Sequence, residues 1–366
     1  MRTLLFIGPL PEPVTGQSLA CRVLLDGLPK EYRLELVDLT KREFTQGVSS
    51  LSRVAEVGRI VWRVWRRRSR ADVIYLTVSE SLAGSLKDLV IYALCFRKLQ
   101  WMAIHLHGGA GMREIMLRRG VLRSLNAFFL RRLGAAIVLG ESQREIYRGV
   151  VPDERIRVIP TFAQDSLFTT IDRIDAKFER AAPLRVLFLS NLLPGKGYDE
   201  LVDAFKGLDE TSKASMRLDL AGAFESDRAR AQLLAKVAGE PHIQYHGTVS
   251  GERKRALFDE AHVFCLPTYY PYEGQPISIL EAYASGCAVI TTNHSGIPDV
   301  FRDGTNGFQV EKRSVADLRA ALDRALKEPR ALRRMAEANF TTARELYRTS
   351  VYQRAVSAVI DEVVRR

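Results

Sequence analysis

The sequence predicts an α/β protein of two Rossmann-like domains, each on a parallel sheet, and three observations carry that expectation. The chain has 366 residues, more than one hydrophobic core usually serves, so two domains of roughly 180 residues are expected. Short buried apolar runs alternate with helix-period segments, the rhythm of strand–helix–strand units. A polar, charged stretch from Pro160 to Pro183 is then followed at Leu184 by a fresh strand pattern, so the fold begins again there.

Composition narrows the class. With 46% hydrophobic and 27% charged residues, the chain is neither disordered nor fibrous. Cys21, Cys95, Cys265 and Cys287 lie far apart, without metal or disulfide spacing, and read as buried free thiols of a reducing cytoplasm. No apolar run approaches the about 18 residues of a membrane span, and MRTLLFIGPLPEP breaks at Pro9 too early for a signal peptide. The expected location is cytoplasmic, at the inner face of the cell membrane. The net charge of +11 is uneven: residues 1–180 hold 29 Lys/Arg against 19 Asp/Glu, residues 181–366 hold 25 against 24. Such a field attracts an anionic membrane, a lipid diphosphate or nucleic acid.

In the first half, residues 2–8 read as a buried strand. The loop from Pro9 follows, with Gly16 free to approach an anion or simply to turn, and Ser18 is the expected cap of a helix from Leu19. Arg33–Leu39 is a second strand. Leu51–Arg70 places Val54, Val57, Ile60, Val61, Val64 and Trp65 on one helical side, with Arg53, Arg59, Arg63 and Arg66–Arg68 around them. Two readings stay open, a helix packed on the sheet with a solvated basic flank and a helix lying in a membrane interface. Nucleic acid is not an expected partner, because no aromatic-rich strand or known binding module accompanies the charge. Asp72–Val78 and Trp101–Leu106 are strands, the latter running into His105-Leu106-His107-Gly108-Gly109. The two histidines point the same way; a zinc pair lacks a third ligand, and core or loop histidines are the ordinary alternative. Further arginines, Arg113, Arg118, Arg119, Arg123, Arg131 and Arg132, surround the next helix, and Ala135–Leu139 and Arg155–Ile159 complete six strands.

In the second half, the strand Leu184–Leu189 leads into Asn191-Leu192-Leu193-Pro194-Gly195-Lys196-Gly197. Its glycines and lysine suit a diphosphate at the next helix start; a surface turn is the alternative, and the Walker A order is absent. Leu218–Ala221 and Ile243–His246 are strands, the latter ending at Gly247-Thr248. The strand Ala261–Pro267 is followed by the loop Thr268–Gln275, a helix from Pro276 stopped by Gly286, and the strand Ala288–Ile290. Loops at the carboxyl ends of parallel strands line crevices, which puts Glu273 at one. Glu273 and Glu281 suit sugar or ribose hydroxyls. The competing readings are a solvated loop acid for Glu273 and a Ser278–Glu281 capping box for Glu281. Three helices, about residues 315–326, 330–347 and 351–364, close the chain.

The run from Glu273 to Gly286, E-G-Q-P-I-S-I-L-E-A-Y-A-S-G, continued by H-S-G-I-P-D-V from His294, resembles the E-x7-E signature of retaining, GT-B-fold nucleotide-sugar glycosyltransferases of family 4. The resemblance is strong over 181–310 and loose over 1–180. It implies a GT-B fold, two Rossmann-like domains with sheets facing a central cleft: residues 1–170 on the acceptor side, 171–346 binding the nucleotide sugar, and 347–366 as a terminal helix crossing back. By the resemblance Glu273 approaches the donor sugar, Glu281 holds the ribose hydroxyls, and His107 is the catalytic histidine after an N-domain strand. Gly16, Gln17, Asn191, Lys196, Gly197, Thr248, Gln275, Pro276, Ile277 and Ser278 complete the expected donor-binding set. Two departures stand out: Gly16-Gln17 replaces a double glycine, and no Arg lies between Ser190 and Lys196. The implied activity is transfer of a sugar from a UDP- or GDP-sugar, with retention and without metal or resident cofactor. The implied acceptor is a glycan or polyprenyl-diphosphate-linked glycan of a bacterial surface polysaccharide, met at an anionic membrane. The rival readings are another double-Rossmann sugar-nucleotide enzyme, epimerase-like, and a non-catalytic carbohydrate-binding or scaffold protein.

Overall fold

Buried apolar runs become parallel strands and the segments between them become crossover helices throughout the computed structural model, which describes residues 1–12, 14–40, 50–118, 120–180 and 183–366. The side chains of Arg53 and Val54, named above in the basic helix, and Arg119 lie outside the described residues. The chain divides into two compact units, Met1–Thr161 with Tyr272–Gln275 and Ser350–Arg366, and Phe162–Pro271 with Pro276–Thr349.

The first unit runs β1 (Arg2–Gly8), α1 (Gly16–Asp26), β2 (Tyr32–Asp38), α2 (Ser50–Arg67), β3 (Val73–Thr77), α3 (Leu82–Leu94), β4 (Met102–His105), α4 (Ala110–Leu117), α5 (Val121–Leu130), β5 (Ala135–Val138), α6 (Glu141–Arg144) and β6 (Ile156–Val158). Its parallel sheet has the order β2-β1-β3-β4-β5-β6. The β1-to-β2 crossover steps one way across the sheet and every later crossover steps the other way. Right-handed connections therefore put α1 on one face and α2 to α5 on the opposite face. Alternation along the strands agrees: Leu5, Ile7, Ile74 and Leu76 share a core with Ile60 and Val64 of α2, Leu89 and Tyr92 of α3, and Leu130 of α5.

The start of α1 corrects one expectation. Thr15, not Ser18, is the cap: its Oγ1 accepts from the Ser18 amide at 3.1 Å while Ser18 Oγ accepts from the Thr15 amide at 2.8 Å. This reciprocal capping box starts the helix three residues earlier, so Gly16 and Gln17 are helical residues rather than loop.

The second unit runs α7 (Ile171–Glu179), β7 (Leu184–Leu189), α8 (Tyr198–Lys206), α9 (Glu210–Ala214), β8 (Met216–Ala221), α10 (Asp227–Val237), β9 (Ile243–Tyr245), α11 (Gly251–Glu260), β10 (Val263–Leu266), α12 (Ile277–Ala284), β11 (Ala288–Thr292), β12 (Gly307–Val310), α13 (Val315–Lys327) and α14 (Pro329–Leu346). The order of its parallel sheet is β12-β11-β10-β7-β8-β9. Several elements exceed the sequence expectation, α9 and α10 among them, and two of them bear on the packing. Helix α7 lies inside the polar stretch and buries Ile174 against Ala336 and Phe340 of α14, and β12 extends the sheet beyond β11. The last helix, α15 (Thr349–Val364), packs within the first unit. There Gln353 donates to the Val23 carbonyl at 2.8 Å and Arg157 Nη2 donates to both carboxylate oxygens of Glu362 at 2.9 and 2.8 Å.

Candidate functional site

In the second sheet the strands step one way from β7 to β9 and the other way from β10 to β12, so the direction of winding reverses between β7 and β10. At such a switch point the connections leave toward opposite faces, and a crevice opens at the strands' carboxyl ends. The two loops that the sequence singles out leave from there and are bound to each other. The Tyr269 amide donates to the Gly195 carbonyl at 2.7 Å, and the Lys196 ammonium lies 5.0 Å from the centre of the Tyr270 ring. Lys196 is buried. Gly197, at φ 82°, is required by the fold itself: a Cβ would overlap the Pro267 carbonyl, so glycine lets this loop pack on the exit of β10.

Helix α12 begins beside these loops. Its N-cap is Pro276, without a capping side chain and without an acid in its first turn. Helix α8, by contrast, carries Asp199 and Glu200 in its first turn, and Glu200 accepts from the Tyr269 hydroxyl at 2.6 Å. The first amides of α12, at Ile277 and Ser278, therefore present a positive helix end not offset by an acid in its own first turn.

The Ser278–Glu281 capping box does not form. Because α12 starts at Ile277, Glu281 falls in the second turn, where it cannot reach back to the helix start. Its carboxylate is instead buried, and Oε1 accepts from Lys254 Nζ of α11 at 2.6 Å. Lys254 also donates to Gln164 Oε1 at 3.0 Å. Burial raises the Glu281 carboxyl above the usual carboxylate range and the Lys254 charge opposes it. Gly286, at φ 63°, ends the helix as expected, with the Cys287 amide on the Ala282 carbonyl at 2.9 Å and the Gly286 amide on that of Tyr283 at 3.0 Å. Asn191 is exposed directly after β7. Thr248 is exposed beyond β9, in the loop that leads into α11, the helix that carries Lys254.

The first unit holds the remaining residues. Gly16 and Gln17 open α1 at the carboxyl end of β1. His105 is fully buried, its Nδ1 2.6 Å from the Tyr75 hydroxyl, and its ring centre is 4.0 Å from that of His107. His107 is partly buried as a residue, and its Nε2 is buried and, among the described residues, has no hydrogen-bond partner. Burial pushes His107 down to about 3, so the ring is neutral at ordinary pH. Glu273 is buried, and the next residue, Gly274, packs so closely that a Cβ there would overlap the His107 carbonyl. Glu273 and His107 are thus brought to one place by a backbone contact. Gln275 spends its amide on the frame: Oε1 accepts from the Thr161 amide and hydroxyl at 2.7 and 2.9 Å, and Nε2 donates to the Leu139 carbonyl at 3.1 Å. Among the described residues no group of three or more His, Cys, Asp or Glu converges as metal ligands.

Residues 171–342 match the family model described as glycosyl transferases group 1. A putative colanic acid biosynthesis glycosyltransferase, WcaL, of Salmonella typhimurium is 29% identical over 144 residues, 38% of this chain and 35% of that protein. The chain thus spans about a third of the length of that relative. Among solved structures, the sucrose-phosphate synthase of Thermosynechococcus elongatus superposes with a TM-score of 0.75 at 15% identity, covering 100% of both chains. HepE of Anabaena, solved in complex with UDP and glucose, superposes with a TM-score of 0.73 at 15% identity, covering 99% of this chain and 100% of that one.

Proposed function

We propose that this chain, whose residues 171–342 belong to the glycosyl transferases group 1 and whose two six-stranded parallel sheets have the GT-B fold, transfers a sugar from a nucleoside diphosphate sugar to a glycan or lipid-linked acceptor of a surface polysaccharide, with retention at the anomeric carbon. The observation that carries the reading is the switch point of the second sheet, where Lys196 and the uncapped start of α12 offer positive charge and the second turn of α12 carries the buried Glu281, paired with Lys254. A cation in the loop after β7, and helix amides and a buried carboxylate on the helix after β10, suit a ligand with both a diphosphate and vicinal hydroxyls. That WcaL is named for colanic acid biosynthesis and HepE was solved with UDP and glucose supports the substrate class.

In this reading the donor diphosphate lies against Lys196 and the amides of Ile277 and Ser278, with Asn191 and Gly197 shaping its loop and Pro276 setting the helix start. Glu281 accepts the ribose hydroxyls. Lys254, by holding one of its oxygens, fixes the direction of the other. Thr248 serves the base from the neighbouring loop, and Gly16 and Gln17 meet the donor or acceptor from the first unit. Breakage of the bond between the anomeric carbon and the diphosphate oxygen puts negative charge on the departing diphosphate, which the lysine and helix amides stabilise. Glu273 holds sugar hydroxyls as the ring becomes oxocarbenium-like, and the acceptor hydroxyl loses its proton to the departing phosphate as the new bond forms on the same face. Neutral His107 accepts or donates one hydrogen bond without adding charge. Gln275 braces the segment that carries Glu273. The basic first half suits an acceptor with a diphosphate headgroup at the inner membrane face.

The test is a panel of labelled UDP- and GDP-sugars incubated with the protein and a lipid extract, with the anomeric configuration of any product read by NMR. The reading requires one donor to be consumed with retention. Consumption of none, an inverted product, or epimerisation without transfer would refute it.

A further inference from the structure

Helix α3 exposes Leu82, Leu86 and Val90 in one row, 67%, 57% and 44% accessible, while Ser85, Leu89 and Tyr92 on its other side are buried. Helix α5 repeats the arrangement with Val121, Leu125 and Phe128, 77%, 45% and 45% accessible. Phe96, just past α3, stacks on Phe128 with ring centres 5.9 Å apart and joins the two rows. A helix packed on a sheet normally turns its polar side outward; these two turn an apolar one. Both lie on the same face of the first sheet, because their crossovers step in the same direction, so the rows share one outward surface.

We propose that the outward face of α3 and α5 docks on an anionic lipid bilayer. The charge around the rows identifies the occupant. From Ile115 to Gly140 the sequence has no Asp or Glu but five arginines, and the single acid of α3, Asp88, is buried against Ser79 and Lys87. Arg123, Arg131 and Arg132 line a concavity with Ser124 and Phe128, and the Arg132 guanidinium lies 4.2 Å from the Phe128 ring centre. Apolar side chains beside the cations of α5, a helix without an acid of its own, match the acyl chains and phosphates of a bilayer at adjacent depths; the exposed Glu114 of the neighbouring α4 is paired with Arg118 at 2.9 Å. A second copy of this chain would instead bring like charges together. On α2 of the same layer, Trp62 and Trp65 are half exposed, with Arg66 4.8 Å from the first ring and Arg68 5.5 Å from the second, a pairing suited to the headgroup level. The proposal stands whether or not the acceptor is lipid-linked.

The experiment is flotation of the full chain with vesicles of phosphatidylglycerol and phosphatidylethanolamine, against phosphatidylcholine vesicles, with sedimentation velocity on the same samples without lipid. Wild type should float with the anionic vesicles, less so at high salt, and remain in solution with the neutral ones. Leu86→Ser/Leu125→Ser/Phe128→Ser and, separately, Arg123→Glu/Arg131→Glu/Arg132→Glu should each weaken partition by about tenfold or more, with unchanged thermal unfolding, whereas Leu234→Ser in the second unit should not. Absence of wild-type binding, or equal binding by both multiple variants, would overturn the proposal. So would loss of binding only in Trp62→Ala/Trp65→Ala, or a wild-type dimer dispersed by the apolar substitutions in place of lipid binding. Nucleotide-sugar consumption, measured alongside in solution, separates failure here from failure of the transfer reading.

Discussion

Glu281 sits where a carboxylate is costly, buried in a helix, and its partner is a single lysine from another helix. Removing one member of such a pair leaves the other uncompensated. Lys254→Met is therefore expected to lower the unfolding free energy by roughly 3 kcal/mol in urea titrations, and an unchanged midpoint would count against a charged pair. Gly274 tests the other acid. Since a Cβ there overlaps the His107 carbonyl, Gly274→Ala should separate Glu273 from His107 and reduce transfer by about a hundredfold while the far-ultraviolet spectrum is retained. Turnover like wild type would mean that this contact does not position the site. At this scale the sequence was partly legible. Glu273 and Glu281 stand out as a spaced pair, and Lys196 by its glycines. Lys254 carries no local signal, because its pairing with Glu281, 27 residues away, depends on how α11 packs beside α12.

At the scale of elements, the polar composition of residues 160–183 hid α7, whose apolar side needs only a few residues. Its Lys177 is buried and takes part in the packing: Nζ donates to the Ala261 carbonyl at 2.8 Å and the Ser285 carbonyl at 3.0 Å, the caps that end α11 and α12. A cation between two helix C-termini offsets both dipoles. Burial lowers the pKa of this lysine, and the nearby Cys287 and Asp259 oppose that shift. Lys177→Met should lower the melting temperature by about 5 °C, leaving the Ser285 carbonyl without its ammonium donor and the Ala261 carbonyl with only the Cys287 thiol, Sγ at 3.1 Å. No change by calorimetry would show that water replaces the ammonium. Strands were easier to read than this helix, since a fully buried parallel strand is a continuous apolar run, as in Leu4–Ile7 or Val263–Leu266. The strand β12 was missed because Gly307–Val310 is short and includes the exposed Gln309. The cap of α1 was misplaced by three residues because Thr15 and Ser18 are both capable caps, and only their mutual bonds decide.

At the scale of the molecule, buried histidines set the response to acid. His262 is pushed down to about 4 by burial, with Nδ1 accepting from the Arg185 amide at 3.2 Å and Nε2 donating to the Lys177 carbonyl at 3.0 Å. A second proton would set an N–H against an N–H. His107 is lowered as well, to about 3. A folded-state pKa below the ordinary 6.5 means stability that is present above pH 6.5 and lost as pH falls toward 4. Unfolding free energy should accordingly decline over that interval, with a shallower decline in His262→Gln; identical slopes would contradict the assignment. The two-sheet architecture was legible in full outline, because the strand pattern restarts at Leu184 and each apolar run found its sheet. Which strands would be neighbours was not, and that order, with β7 beside β10, is what turns two separate loops into one candidate site.

The measurement that bears most directly on that site is calorimetric titration of UDP and of GDP into the wild-type chain and into Lys196→Ala and Glu281→Ala. The expected result is binding of one nucleoside diphosphate, weakened at least about tenfold by each substitution, with melting temperatures showing that both variants fold. Affinity unchanged by both substitutions, or no nucleotide bound by the wild-type chain, would contradict a donor site at the β7–β10 switch point.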